Sequence, residues 1–219
     1  MKNYEKLLVH SKLFCGIRET DLESMLECLG PVQREYRKGE YIYYAGEHIT
    51  SAGMVLRGCV HVLKEDYWGN RTILAEISAG QLFGEAYACA GRKEPAVGVV
   101  AAADCAVLFL NMQRVLSLCS SACVFHTRLI QNLITVLADK NVYLTDKIEY
   151  LSRRRLRDKV LSYLSDMAKE QGGREFSIPF NRQELADYLS VDRSALSSEL
   201  CKLRDEKILE FKKNHFRFL

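Results

Sequence analysis

Nine of the thirteen glycines fall between Gly39 and Gly98, and none occurs between residues 99 and 171. Glycine supplies the positive φ that tight turns need and costs a helix interior about 1 kcal/mol. The first stretch must therefore be built from turns and short strands, and the second can be helix. Runs such as EYIYYA, GMVLRGCVHVLK, RTILAEIS and AVGVVAAADCAVLFL are rich in β-branched and aromatic residues and are bounded by turn signals. They predict an antiparallel barrel or sandwich. Gly69-Asn70, after Trp68, marks a hairpin tip between VHVLKEDY and RTILAEI.

From Gln113 to about Leu151 there is neither Gly nor Pro, and Leu129, Leu133, Val136, Leu137, Val142 and Leu144 recur mostly at steps of three and four. This predicts one long helix whose apolar stripe is wide enough to pair with a second copy of itself; the plainer alternative is that it packs wholly on its own barrel. With 219 residues, 48% hydrophobic and 27% charged, the chain can fill one large or two small cores. No stretch approaches the ~18 apolar residues of a membrane span, and MKNYEKLLVHSK lacks a secretion signal's apolar run, so a cytoplasmic protein is expected. The eight cysteines form no regular framework and read as reduced thiols used as small hydrophobes. Residues 152–219 hold 15 Lys and Arg against 11 Asp and Glu, whereas the rest hold 16 against 17. That asymmetry permits a polyanion partner at the C-terminal end.

The C-terminal part reads as a basic helix (RRRLRDKVLSYLSDMAKEQGG), a short strand (REFSIPF), two short amphipathic helices, and a hairpin (EFKKNHFRFL) with Lys212, Lys213 and Asn214 at its tip. Asn181 with Glu184 makes a capping box, so the first amphipathic helix starts at Arg182. Leu185, Ala186 and Leu189 form its inner face, Ser190-Val191 is the turn, and Asp192 caps the second helix. There Ala195 or Leu196, with Leu200 and Leu203, faces inward, leaving Arg193, Ser194, Ser197, Ser198 and Lys202 outward. Short and basic residues on the first turns are what a helix needs in order to read base edges. The order is that of a winged helix-turn-helix.

On GQLFGEAYACAG (80–91) and NRQELADYLSVDRSALSSEL (181–200), the whole chain resembles the Crp/Fnr superfamily of bacterial transcription regulators. The resemblance implies an α+β chain: an N-terminal β-roll of the cyclic-nucleotide-binding kind (1–112), a dimerisation helix region (113–151) and a C-terminal winged helix-turn-helix (152–219). It implies a homodimer on near-palindromic double-stranded DNA, a small-molecule effector and, for an activator, contact with RNA polymerase. The DNA-binding set is Arg182, Arg193, Ser194, Ser197, Ser198 and Lys202. Arg193 matches the family arginine at the start of the recognition helix. Ser194 and Ser198 stand where the family often has a base-reading Glu and Arg, so the half-site should differ. Ser190 replaces the usual turn glycine, and a left-handed Ser would carry strain.

In relatives that bind cyclic AMP, a Phe-Gly-Glu start is followed, ten residues after the Glu, by Arg-Ser or Arg-Thr. Here Phe83, Gly84 and Glu85 fit the start, but Pro95 and Ala96 occupy the second place. A buried phosphate without a paired cation is expensive, and Arg92 comes three residues early. The effector expected at Phe83, Gly84, Glu85, Pro95 and Ala96 is therefore not cyclic AMP but another molecule, apolar or carboxylate. A purely structural account remains open: Gly84 for the turn, Glu85 capping the short helix. No cofactor is expected. Cys15 and Cys28 lack iron–sulfur spacing, His61 is a lone strand histidine, and Cys119, Cys123 and His126 lack a fourth zinc ligand. No catalytic constellation appears, so no enzyme is expected. The alternative from another class is a cyclic-nucleotide-binding module that acts through protein contacts.

Overall fold

The computed structural model describes residues 4–91, 95–117 and 124–219. They form two compact units: Met1–Gly69 with Leu74–Asn141, and Asn70–Ile73 with Val142–Leu219. In chain order come α1 (Glu5–His10), α2 (Glu19–Leu29), β1 (Val32–Tyr36), β2 (Tyr41–Tyr43), β3 (Ser51–Arg57), β4 (Cys59–Glu65), β5 (Arg71–Ser78), β6 (Leu82–Phe83), α3 (Glu85–Ala90), β7 (Gly98–Ala101), β8 (Cys105–Asn111), α4 (Met112–Leu116) and α5 (Val124–Leu151), of which the start of β5 and the end of α5 belong to the second unit.

Two four-stranded sheets, in orders β1-β8-β3-β6 and β2-β7-β4-β5, make the roll. Their registers are antiparallel, with Val32 opposite Phe109 and Val60 opposite Ala101. β3 and β8 are buried on both faces, which explains their unbroken apolar runs. Val55 and Val107 point between the sheets, joining Ile42, Val60, Ile77 and Val99. Their neighbours Met54, Leu56, Leu108 and Leu110 point the other way, onto Leu22, Met25, Leu129 and Leu133 of the helices. A side-chain period of two thus builds two cores from one strand.

Gly53 sits where β3 passes the ring of Phe83; a Cβ there would lie 2.1 Å from Phe83 Cζ. That ring is 1% exposed and meets Tyr43 and Phe109 edge-on at 6.1 and 6.4 Å, so it has little room to withdraw. Gly53→Ala is therefore expected to cost about 1–3 kcal/mol by overpacking. A melting temperature unchanged by the substitution would show that the ring yields freely.

The single helix expected from Gln113 is instead two. Asn111 accepts from Gln113 N and Arg114 N, starting α4 at Met112, and Ser117 turns extended to end it, so neither Gly nor Pro was needed. Cys15 and Cys28 are exposed rather than apolar filler; burial pushes the thiols of Cys89 and Cys105 up, keeping them protonated.

The second unit continues with α6 (Leu156–Glu170), β9 (Glu175–Ser177), α7 (Arg182–Leu189), α8 (Arg193–Asp205), β10 (Leu209–Lys212) and β11 (His215–Phe218). β9 and β10 flank β11. Val160, Leu164, Phe176, Leu185, Leu189, Leu196, Leu200 and Phe216 fill its core. No helix among the described residues is long and apolar enough to cross a membrane.

Candidate functional site

Two capped helices set the geometry of the reader. Asn181 Oδ1 accepts from Gln183 N and Glu184 N at 2.9 and 3.0 Å, and Asn181 N donates to Glu184 Oε2 at 2.7 Å. α7 ends at Ser190 with φ 53 and ψ 54, so the turn does take the left-handed form despite lacking glycine. α8 then starts under Asp192, whose Oδ1 accepts from the Ser194 hydroxyl at 2.5 Å and from Ser194 N and Ala195 N at 2.8 and 2.9 Å. Those bonds, the hydroxyl's first, hold the Asp192 carboxyl below the usual range. Leu196, not Ala195, is the inward residue.

The Ser194 hydroxyl donates its proton to the cap and that of Ser197 donates to Arg193 O at 2.9 Å, which leaves both oxygens able to accept. Arg193, Ser198 and Lys202 are exposed, with Lys202 Nζ 3.9 Å from Glu199 Oε2. Arg182 is half-buried, its guanidinium over the Phe211 ring at 5.0 Å, where it braces α7 against β10. Lys212, Lys213 and Asn214 are exposed at the wing tip. Arg157 grips Glu206 with two nitrogens, at 3.0 and 2.5 Å, joining α6 to the end of α8.

A second polar centre, absent from the sequence reading, lies behind α7. The Tyr188 hydroxyl bonds to those of Tyr143 and Tyr150 at 2.6 and 2.5 Å. Lys147, 4% exposed, places Nζ 3.6 Å from the Tyr188 ring centroid and donates to Ile73 O at 2.7 Å. Burial pulls its ammonium from the usual 10.5 down to about 7. The unfolded chain keeps that proton up to its ordinary value, and the folded chain releases it above about 7. Stability should therefore rise from about pH 7 to pH 9, by at most ~1.4 kcal/mol per pH unit. Denaturant unfolding across that window is expected to show the rise in the native chain and a flatter profile in Lys147→Met. Equal slopes would assign it to another group.

The apolar stripe of α5 divides in two. Of the six residues expected to pair with a second copy, Leu129, Leu133 and Val136 are 0%, 2% and 8% exposed and pack into their own unit with Leu137 beside them, whereas Val142 and Leu144 stay 62% and 48% exposed. For the first three the plainer alternative is the correct one. The row that stays open runs through Leu144 and adds two residues: Ile134, Leu144 and Ile148 are 61%, 48% and 64% exposed. With Asn141, and with Leu137 and Leu151, they recur every seven residues as Ile134-Asn141-Ile148 and Leu137-Leu144-Leu151, the spacing of a coiled-coil seam.

In the sensor, Phe83 is buried among Tyr43 and Phe109, and Gly84 caps α3 with φ 76. Glu85 does not cap α3 through its side chain. It is 2% exposed, and its Oε1 lies 2.7 Å from Lys140 Nζ of α5, which also donates to Leu82 O at 2.6 Å. Pro95 is buried and its carbonyl accepts from Gly46 N at 2.8 Å, whereas Ala96 is exposed. A surface cleft of about 340 Å³ is lined by Glu35, Tyr36, Arg37, Glu40, Arg57 and Asp104, and by none of the five residues expected at the effector. His61 Nε2 is engaged by Glu76 at 3.0 Å. Cys119 and Cys123 lie outside the described residues. Among the described residues no cluster of three or more His, Cys, Asp and Glu could hold a metal.

A strand-built roll, a long helix and a capped helix-turn-helix with a wing are the parts of a DNA-binding transcription regulator. Residues 33–122 match the cyclic nucleotide-binding domain family, and residues 158–219 match the Crp-like helix-turn-helix domain. The chain belongs to the Crp/Fnr superfamily. No curated protein matches it. Among solved structures it resembles the c-di-GMP responsive global regulator CLP of Xanthomonas campestris, at 18% identity and TM-score 0.75 over 92% of this chain and 99% of that one. It also resembles a CooA mutant from Carboxydothermus hydrogenoformans, at 19% identity and TM-score 0.73 over 89% and 85%. FixK2 from Bradyrhizobium japonicum shares 21% identity with TM-score 0.68 over 86% and 92%. At these identities the likeness is one of fold.

Proposed function

We propose that the chain acts in the cytoplasm as a homodimer that binds a near-palindromic DNA operator with one α8 per half-site, controlled by a small effector other than cyclic AMP. In this reading residues 1–112 sense, 113–151 dimerise and 152–219 read. The observation that carries it is α8 itself: a capped helix with Arg193, Ser198 and Lys202 exposed to solvent along its length. Two such helices joined through the open row of α5 would meet half-sites about 34 Å apart. Against cyclic AMP stand Pro95 and Ala96, which bring neither cation nor hydroxyl to a phosphate.

The test is fluorescence anisotropy of labelled DNA from the protein's own upstream region, with and without cyclic AMP. Specific binding that falls steeply with salt and ignores cyclic AMP supports the reading. Binding tightened by cyclic AMP would mean that another cation serves the phosphate. Absence of specific binding would favour a module acting through protein contacts.

A further inference from the structure

Glu85 is the sensor's one buried carboxylate among the described residues with a side-chain oxygen left over. Lys140 satisfies Oε1 at 2.7 Å, while Oε2 is buried and has no hydrogen-bond partner there. The two side chains differ in access, 2% exposed for Glu85 against 32% for Lys140. A buried carboxylate is costly without a counter-charge, so the chain supplies one from 55 positions away in sequence. The same ammonium bonds Leu82 O, so one side chain fastens α5 to β6 and α3 together.

Resting on the DNA-binding reading, we propose that Lys140 is a built-in occupant of the effector site, a positioning residue that holds α5 in its DNA-binding arrangement when no small molecule is bound. The effector is then a releaser. Its class is fixed by what Glu85 accepts: a molecule carrying an ammonium or hydroxyl donor, which completes Oε2 and takes over Oε1 from Lys140. A carboxylate effector does not fit this site, because it would face Glu85. Physically, a helix pinned to its sheet is pre-organised, and unpinning it charges the ordering cost to DNA binding.

The experiment is operator anisotropy with no ligand added, on the native chain, Lys140→Arg, Lys140→Met and the double variant Lys140→Met/Glu85→Gln. Lys140→Met alone strands a buried charge and is expected to melt early. The double variant removes both charges with little change of shape, so it is expected to fold, with circular dichroism and melting temperature near native. It should still bind operator about tenfold more weakly, whereas Lys140→Arg keeps the charge and rescues binding. A folded double variant that binds as tightly as the native chain overturns the proposal, since the pair would then be merely structural. So does a native chain that binds operator only once cyclic AMP is added. If the native chain binds no DNA specifically under either condition, the DNA-binding reading fails, and the proposal with it.

Discussion

Replacing Ile134 and Ile148 together by glutamate is expected to convert the protein to a monomer and to weaken operator binding by at least about a hundredfold. Both side chains are more than half exposed in the single chain, at 61% and 64%, so the substitutions should leave each unit's fold intact. Covering an isoleucine contributes about 1.5–3 kcal/mol, and a symmetric seam covers each of the two twice. Glutamates at those places would instead face their own copies across the axis. Asn141, midway between the two isoleucines in the row, sits where a polar residue sets register and strand number at some cost in stability. The loss in DNA affinity follows from geometry, because a monomer engages one half-site and forfeits the effective concentration of the second reader. Sedimentation equilibrium should show the mass fall from twice 25.0 kDa to 25.0 kDa. A variant that stays dimeric, or that keeps native operator affinity as a monomer, would remove the seam from the mechanism.

Of that row the chain shows Leu137 and Leu144 but not Ile134 or Ile148, whereas the caps of the reader are legible in full. Caps are local signals, complete within four residues, so Asn181 with Glu184 and Asp192 before Arg193 could be read from the chain, and both form the hydrogen bonds their types imply. The β-rich nature of residues 39–111 was legible for a similar reason: turn residues and β-branched runs are short-range features. Along α5 the chain offers several overlapping apolar rows at steps of three, four and seven. Which one faces the sheet is decided by Leu108, Leu110 and Met54, residues far off in sequence. Apolar content alone puts Leu129, Leu133 and Val136 in one stripe with Leu137, Val142 and Leu144, while the packing of the roll takes the first three. Lys140 and Lys147 escaped notice because a lysine on a long helix ordinarily points to water. Only the fold brings Glu85 to one and Tyr188 to the other. Conversely, Ser194 and Ser197 looked like base readers by position, and only hydrogen-bond geometry shows their hydroxyl protons already donated.

Replacing Arg193 by alanine should reduce specific affinity by about 1–3 kcal/mol per half-site, roughly 5- to 150-fold for each, and relax discrimination at one base pair of each half-site. Arg193 is the first residue of α8 and is exposed, and it is the one long cationic side chain in the helix's first turn. With the Ser194 and Ser197 protons donated to Asp192 and to Arg193 O, those hydroxyls are left to accept only, so hydrogen-bond donation to base edges in that turn falls to the Arg193 fork, with Ser198 further along the helix. The substitution should be nearly silent for folding. What Arg193 gives the helix is its backbone carbonyl, bonded by the Ser197 hydroxyl at 2.9 Å, and alanine keeps it. Two controls separate base reading from phosphate attraction. On non-specific DNA the alanine variant should lose only about one unit of the salt slope. Arg193→Lys should restore that slope without restoring discrimination, because an ammonium lacks the planar fork that grips guanine O6 and N7. Equal losses on specific and non-specific DNA would make Arg193 a phosphate contact, and no loss on either would move base recognition off the first turn of α8. Because the same variant leaves α5 untouched, its loss on a single half-site should be the same with and without the seam substitutions.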